Sequence, residues 1–138
     1  MVIRTPDHFD VLIADDHQAF REVVREFLEP RPLLRVHEVD SGEAAIEYAR
    51  ERQIHIVLLD MHMHVLTGLE TLRELKELDA LRPCILMTSE ATDELREDAA
   101  EADAYSVLSK PVERVELTAT VTRALAQAYH LPGLDASA

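Results

Sequence analysis

Residues 54–68 have the sequence IHIVLLDMHMHVLTG, which joins a short apolar run to a polar loop at Asp60. The run over residues 54–59 is rich in β-branched side chains and shows no sustained alternation of apolar and polar positions. Such runs are typical of strands that are buried on both faces of a sheet. The segments DVLIA, residues 10–14, and PCILM, residues 83–87, have the same character. Together the three runs predict the centre of a parallel sheet.

Segments with helical spacing of apolar residues separate these predicted strands. Apolar side chains that recur three or four positions apart indicate one buried face of an amphipathic helix. They are Phe20, Val23, Val24, Phe27 and Leu28; then Ala45, Ile46 and Ala49; then Leu69, Leu72, Leu75 and Leu78. Weaker patterns predict helices over residues 93–102 and 114–129 and strands over residues 34–39 and 104–108.

Strand and helix therefore alternate five times along the chain. This alternation predicts an α/β fold in which one doubly wound parallel sheet is covered by helices on both faces. A length of 138 residues suits a single domain. We expect the domain to span residues 9–130, with an N-terminal extension over residues 1–8 and a short flexible tail over residues 131–138.

The charge balance restricts the classes of function. Fourteen Lys and Arg face twenty-seven Asp and Glu, which gives a formal net charge of -13. This excess repels phosphate backbones and anionic lipids, so we expect no direct binding to nucleic acid or membrane. No apolar stretch approaches the ~20 residues that span a bilayer. The single cysteine, Cys84, excludes an intrachain disulfide and fits a reducing compartment. We therefore expect a cytoplasmic protein.

Polar residues follow four of the predicted strands. Asp15 and Asp16 come after the first strand, Asp60 after the third, Thr88 after the fourth and Lys110 after the fifth. In an open doubly wound sheet, ligands bind beyond the carboxyl ends of the strands. The sequence therefore predicts that these side chains meet at one edge of the sheet and form the functional site.

Three carboxylates at one place require a cation. Two unit charges ~4 Å apart repel each other by about 4 kcal/mol at an effective dielectric constant near 20. Lys110 offsets one negative charge, and a divalent ion matches the other two. Magnesium fits best, because it prefers oxygen ligands and commonly binds one or two carboxylates together with a phosphoryl group. A carboxylate beside such an ion can accept a phosphoryl group.

These residues resemble a known family. Asp15-Asp16, the block LLDMHMHVLTG around Asp60, LMTS with Thr88 and LSKPV with Lys110 are similar to the motifs of the receiver domain of bacterial two-component response regulators, of the chemotaxis-regulator type. The resemblance covers about residues 9–130. It implies a flavodoxin-like fold with strand order 2-1-3-4-5 and five helices.

The resemblance implies a role for each acidic residue. Asp60 matches the phosphoacceptor, which takes a phosphoryl group from a sensor histidine kinase or a histidine phosphotransfer protein. Asp16 and Asp60 match the direct Mg²⁺ ligands, and Asp15 matches the residue that holds the ion mainly through water. The backbone carbonyl of His62 matches a further ligand. A downstream protein partner would then bind the phosphorylated form.

Two further residues match groups that contact the phosphoryl oxygens. Thr88 corresponds to the switch hydroxyl and Lys110 to the lysine that contacts the phosphoryl group. The Lys110–Pro111 bond is expected to be cis, as it usually is in the family. Self-phosphorylation and autodephosphorylation are the only chemistry implied, so we expect a signalling domain and not an enzyme. A homodimer through the face of helix 4, strand 5 and helix 5 is a possible assembly in this family.

Several positions depart from the family pattern. Val107 stands where Tyr or Phe usually provides a rotamer switch, and strand alternation predicts that Tyr105 lies on the same side and could substitute. Asp103 replaces a common glycine. Proline is common at the position of His64. His62 and Glu90 match positions that tune the lifetime of the phosphoryl group, and we expect them to approach each other over the site.

Three alternatives come from other classes of function. Asp60 could be the nucleophile of a phosphatase that acts on small phosphate esters, although phosphatases of the haloacid-dehalogenase type have a second Asp where this chain has His62. The H-x-H pair of His62 and His64 could bind a transition metal, although solvated loop histidines are commoner. A cobalamin-binding motif is disfavoured because Val65 stands where that motif has glycine.

Overall fold

The computed structural model describes residues 7–130, which form five strands and five helices in strict alternation. The strands are β1 (Phe9–Ala14), β2 (Leu34–Val39), β3 (Ile56–Asp60), β4 (Cys84–Thr88) and β5 (Ser106–Ser109). All four strand pairs are parallel, and the order across the sheet is β2-β1-β3-β4-β5. The predicted flavodoxin-like fold is confirmed. The strand that was predicted over residues 54–59 begins two residues later and includes Asp60.

The helices begin where the sequence provides capping chemistry. They are α1 (Gln18–Leu28), α2 (Gly42–Glu51), α3 (Gly68–Leu78), α4 (Asp93–Glu101) and α5 (Arg114–Tyr129). The Ser41 hydroxyl accepts the backbone N–H of Ala44, and the Thr92 hydroxyl accepts that of Leu95. Each of these bonds satisfies a donor that the first helical turn leaves unpaired. The predicted start of α4 at residue 93 is confirmed.

The core consists of two apolar layers, one on each face of the sheet. One layer packs α1 and α5 against β1, β3 and β4 and contains Val24, Leu28, Leu117, Val121 and Leu125. The other layer packs α2, α3 and α4 against the opposite face and contains Ala45, Ile46, Leu69, Leu72, Leu75 and Ala99. Burial on both faces explains why the central strands carry continuous apolar runs.

Tyr105 does not lie on the side of the sheet that was predicted. It packs against the layer of α1 and α5, whereas Val107 packs against the layer of α2, α3 and α4. The strand begins only at Ser106, so Tyr105 precedes the regular alternation on which the prediction relied. The expectation that Tyr105 substitutes for the aromatic switch beside Val107 is therefore wrong in its geometry.

Gly68 is the residue that holds the start of α3 against the end of β3. Its N–H donates to the carbonyl of Met61 at 2.9 Å. A Cβ atom at this position would lie 2.5 Å from the carbonyl oxygen of Asp60 and 2.8 Å from the Cα atom of Met61. Contacts this short with backbone atoms exclude any side chain. The first residue of α3 and the backbone of Asp60 are thus in direct contact.

Three residues other than glycine, Val65, Asp103 and His130, adopt left-handed backbone conformations near the ends of elements. Asp103 has φ 65°, directly after α4, where the family commonly has glycine. Aspartate tolerates this conformation better than most residues, so the replacement keeps the turn. Val65 has φ 68° and is 83% exposed in the loop between β3 and α3, although a β-branched side chain disfavours that conformation.

The proposed N-terminal extension lies mostly outside the described residues, and the proposed tail lies entirely outside them. Of the extension, only residues 7 and 8 are described. Over residues 7–130, every helix is too short or too polar to cross a lipid bilayer.

Candidate functional site

The ends of the parallel strands bring the predicted site residues to one edge of the sheet. Asp15 directly follows β1, Asp60 and Thr88 are the last residues of β3 and β4, and Lys110 follows β5. The relative exposures of Asp15, Asp60 and Thr88 are 0%, 2% and 0%. Polar side chains buried this deeply are costly unless they have partners, so their contacts determine what the site can do.

Lys110 links two of the three carboxylates. Its Nζ atom lies 3.1 Å from Oδ2 of Asp15 and 3.0 Å from Oδ1 of Asp60. The same ammonium group lies 3.9 Å from the centre of the Phe20 ring, which provides a cation–π contact from α1. The Lys110–Pro111 peptide bond is cis, as the resemblance implies. Lys110 thus occupies a fixed position between strands β1 and β3.

The ionised form of Asp60 is disfavoured in the folded protein. Burial raises the pKa of Asp60 above its ordinary value, and the negative charge of Asp15 adds to this increase. The hydrogen bond from Lys110 and a backbone hydrogen bond from His62 oppose it. The net direction is upward, so one lysine does not offset the cost of placing this carboxylate beside its neighbours.

Four residues at this edge form a set of possible metal ligands. Asp15, Asp16, His17 and Asp60 each offer one atom, and these atoms all lie within 4.8 Å of one another. The carboxylate oxygens suit a hard cation such as Mg²⁺. Nδ1 of His17 lies 3.0 Å from Oδ1 of Asp16 and 3.4 Å from Oδ1 of Asp15. The three predicted acidic ligands come together, and His17 joins them although the sequence analysis did not identify it.

Thr88 lies beside this set with its hydroxyl oriented by the following loop. Its Oγ1 atom accepts the backbone N–H of Glu90 at 3.1 Å. Nε2 of His62 lies 3.5 Å from the same oxygen. His62 and Glu90 therefore both approach Thr88, whereas a direct hydrogen bond between them is not present in residues 7–130. The contact of Glu90 is made by its backbone N–H and that of His62 by its imidazole, so the approach of the two side chains to each other stays a prediction.

The two histidines of the H-x-H pair separate. Nε2 of His64 lies 3.6 Å from Oδ2 of Asp16, and His64 is 94% exposed. His62 is turned instead towards Thr88. The pair thus does not form a joint metal site, and its two members contact different groups of the functional site.

Two arginines of α1, Arg21 and Arg25, form contacts that hold the acidic edge of the sheet in place. Arg21 donates to the backbone carbonyl of Asp15 at 2.6 Å and forms an ion pair with Glu38 at 3.0 Å. Arg25 also pairs with Glu38 at 2.5 Å, which lowers the pKa of that carboxyl group despite its burial. These contacts join α1 to β2 and fix the backbone of Asp15. No sequence motif indicated them, because they depend on how α1 lies over the edge strand.

A second polar cluster, which we call the Asp10 cluster, lies at the opposite edge of the sheet. It consists of Asp10, His8, His37 and His55. Oδ1 of Asp10 lies 2.8 Å from Nε2 of His37, and Oδ2 lies 3.3 Å from Nε2 of His8. Nδ1 of His55 accepts the backbone N–H of Asp10 at 2.9 Å. No pattern in the sequence predicts this cluster, because its members come from separate segments of the chain.

Comparison with known proteins gives the class of the domain. The family model described as the response regulator receiver domain matches residues 11–122, and the chain therefore belongs to that family. Members are signalling domains of two-component systems that interact with kinases or phosphotransfer proteins and with downstream targets. They bind Mg²⁺ at an acidic pocket, and the oxygens of Asp15, Asp16 and Asp60 fit that ion.

Individual relatives support the same assignment. The transcriptional regulatory protein ZraR of Escherichia coli is 32% identical over 125 residues, which are 91% of this chain and 28% of ZraR. The chemotaxis protein CheY of Halobacterium salinarum is 32% identical over 104 residues, which are 75% of this chain and 86% of CheY. The structure of the Vibrio cholerae chemotaxis protein CheY4 has a TM-score of 0.80 at 24% identity, over 85% of this chain and 98% of that one. The chain spans less than a third of the length of ZraR.

Proposed function

We propose that Asp60 is the phosphoacceptor of a two-component or phosphorelay pathway. The observation that carries this proposal is the position of Lys110, whose ammonium group lies 3.0 Å from Asp60 and 3.1 Å from Asp15. A fixed positive charge at that place would neutralise the oxygens of an incoming phosphoryl group, beside the carboxylates that would hold a cation.

The transfer itself is a displacement at phosphorus. A carboxylate oxygen of Asp60 forms a bond to phosphorus, while the bond from phosphorus to the nitrogen of a phosphohistidine breaks and its electron pair returns to the imidazole. Bound Mg²⁺ would supply charge neutralisation at the phosphoryl oxygens. Asp15 and Asp16 would hold the ion together with Asp60, and the backbone carbonyl of His62 is proposed as a further ligand.

The groups around Asp60 would hold its phosphorylated side chain in place. The hydroxyl of Thr88 and the ammonium of Lys110 would bind oxygens of the phosphorylated Asp60. The imidazole of His62 and the backbone N–H of Glu90 both contact the hydroxyl of Thr88, and we expect the side chains of these two residues to tune the lifetime of the phosphoryl group. Comparing the dephosphorylation half-lives of the parent and the double variant His62→Ala, Glu90→Ala tests this role, and equal half-lives would reject it.

The proposed donor of the phosphoryl group is a sensor histidine kinase or a histidine phosphotransfer protein. Because such donors act in the cytoplasm, we propose that location for this chain. A downstream protein would bind the phosphorylated state, since new contacts to Thr88 and Lys110 favour one of two conformations. The face formed by α4, β5 and α5 is the proposed surface for that partner or for a homodimer. We assign this role to residues 9–130.

Incubation of the full chain with acetyl phosphate and Mg²⁺, followed by intact mass measurement, tests the phosphoacceptor directly. We expect one added phosphoryl group per chain in the parent and none in Asp60→Asn. Asp40→Asn is the matched control, because it removes an exposed carboxylate that lies outside the site. Phosphorylation of Asp60→Asn at the parental level would contradict the proposal.

The same experiment separates a receiver from a phosphatase. A receiver accumulates a single acyl phosphate, whereas a phosphatase releases phosphate from an aryl phosphate over many turnovers. Continuous turnover that depends on Asp60 would assign the chain to the phosphatase class instead.

A further inference from the structure

The imidazole of His17 is built into the proposed cation site. Its Nδ1 atom is 3.0 Å from Oδ1 of Asp16 and 3.4 Å from Oδ1 of Asp15. It belongs to the four-residue set, with Asp60, whose ligand atoms all lie within 4.8 Å of one another. The site therefore offers one nitrogen ligand in addition to three carboxylates.

The spacing of these atoms suits direct coordination. Two adjacent ligands at ~2.1 Å from an octahedral ion are about 3 Å apart. The separation of 3.0 Å between His17 and Asp16 agrees with this distance. An ion that both atoms bind would therefore require little rearrangement of either side chain.

The local backbone presents His17 to the carboxylates. His17 is the N-cap residue of α1, but its side chain forms no capping hydrogen bond. Its backbone N–H donates to Oδ1 of Asp15 at 2.9 Å, which fixes the residue beside the site. The imidazole, which is 75% exposed, is thus not used to stabilise the helix and is accessible to an ion from solvent.

Nitrogen ligands change which ions a site prefers. Mg²⁺ selects oxygen ligands, whereas imidazole binds well to first-row transition metals such as Zn²⁺, Ni²⁺ and Co²⁺. We propose that the site of Asp15, Asp16 and Asp60 also takes first-row transition-metal dications, with His17 as a nitrogen ligand that raises their affinity but not that of Mg²⁺. This inference rests on the cation site of the proposed function.

Two other histidines provide matched controls. His64 is near the site, since its Nε2 atom is 3.6 Å from Oδ2 of Asp16, but it is not one of the four residues of the set. His130 is the exposed residue that ends α5 and has φ 54°. Asparagine tolerates this conformation, so His130→Asn removes an imidazole without disturbing the fold.

Metal binding to the full chain tests the inference without phosphorylation. Zn²⁺ and Mg²⁺ affinities are measured by calorimetry, and Co²⁺ is followed by its visible absorption, which reports nitrogen coordination. We expect His17→Ala to weaken Zn²⁺ and Co²⁺ binding by about tenfold or more and to change the cobalt spectrum. Its Mg²⁺ affinity, and all affinities of His64→Ala and His130→Asn, should remain within about threefold of the parent.

Three results would overturn the inference. They are unchanged Zn²⁺ affinity in His17→Ala, an equal loss of Mg²⁺ affinity in that variant, and an equal loss of Zn²⁺ affinity in His64→Ala. His17→Ser repeats the measurement with a residue that favours the N-cap position, which guards against a defect in folding. Acetyl phosphate labelling of Asp60 is measured separately, so failure of the phosphoacceptor proposal is distinguishable from failure of this one.

Discussion

Strand β1 has a carboxylate cluster at each end, and the two clusters are satisfied in opposite ways. At its start, the carboxylate of Asp10 contacts the imidazoles of His8 and His37, and the N–H of Asp10 donates to the imidazole of His55. After its end, the carboxylates of Asp15, Asp16 and Asp60 lie together, and the one ammonium group beside them, from Lys110, contacts Asp15 and Asp60 only. One cluster has a surplus of partners for its carboxylate, and the other has too few.

This difference distinguishes a structural cluster from a functional one. Hydrogen bonds to Asp10 join β1 to β2 and to the chain that precedes β3, and they need no ligand. The three carboxylates at the other edge leave negative charge that the protein does not neutralise, and buried charge without a partner is costly. A cation or a phosphoryl-bearing complex supplies what is missing there.

Replacing the single ammonium group of the site should have the largest effect. We expect Lys110→Ala to slow phosphorylation by acetyl phosphate about 100-fold, because it removes a fixed charge that stabilises the transferring phosphoryl group. The rate is measured by intact mass over time. Lys76→Ala is the control, since Lys76 is the other lysine of the chain and lies on α3. A rate for Lys110→Ala close to that of the parent would remove the basis for the contrast.

Removing one carboxylate from each cluster should change stability in opposite directions. Asp10→Asn should lower the free energy of unfolding by about 2 kcal/mol, because hydrogen bonds to a charged group are lost. Asp60→Asn should raise it by on the order of 1 kcal/mol in metal-free buffer, since the raised pKa of Asp60 shows that its charge destabilises the folded state. Urea unfolding of both variants measures these changes. A loss of stability in both would show that the clusters are equivalent.

Magnesium should stabilise the folded protein by binding at the acidic edge and not at the Asp10 cluster. At an Mg²⁺ concentration of about ten times the dissociation constant, the free energy of unfolding of the parent should increase by about 1.4 kcal/mol. Asp10→Asn should show the same increase, whereas Asp16→Asn should lose most of it. Urea unfolding with and without Mg²⁺ gives the values, with sodium chloride of equal ionic strength as the control. An unchanged increase in Asp16→Asn would mean that the ion binds elsewhere.

The two edges should also respond to pH with opposite signs. Burial lowers the pKa of His55 below 6.5, although Asp10 opposes the shift. The unfolded chain therefore binds a proton more readily, and stability is lost as the pH falls below about 6.5. The raised pKa of Asp60 acts in reverse, since its contribution is favourable in acid and is lost as the pH rises above its ordinary range near 3.8.

The histidine effect can be measured by comparison with His55→Asn, which retains an acceptor for the N–H of Asp10. Between about pH 7 and pH 5, the parent should lose roughly 1 kcal/mol more than this variant. Equal losses in urea unfolding would show that His55 does not titrate on unfolding.

The fold and most of the acidic site were predictable from the sequence, for a physical reason. Parallel strands end at the same edge, so Asp15, Asp60, Thr88 and Lys110 had to converge once their strands were recognised. Apolar runs mark such strands because both faces of the sheet are covered. The convergence followed from periodicity and did not require any particular side-chain conformation.

The features that were missed depend on register and rotamer. Asp10, His37 and His55 come from three separate segments, and only the parallel pairing of β1 with β2 and the bond from His55 N–H to the carbonyl of Asp10 bring them together. The orientation of His17 depends on its position as an N-cap without a capping bond. Tyr105 was misplaced because the strand begins one residue after it.

The close contact at Gly68 has a mechanical consequence. No side-chain atom fits between Gly68 and the backbone of Asp60. The backbone of Asp60 and the start of α3 therefore pack directly against each other. A displacement of the Asp60 backbone would therefore be transmitted to the start of α3, an eleven-residue helix about 16 Å long. That route does not require an aromatic side chain at position 107.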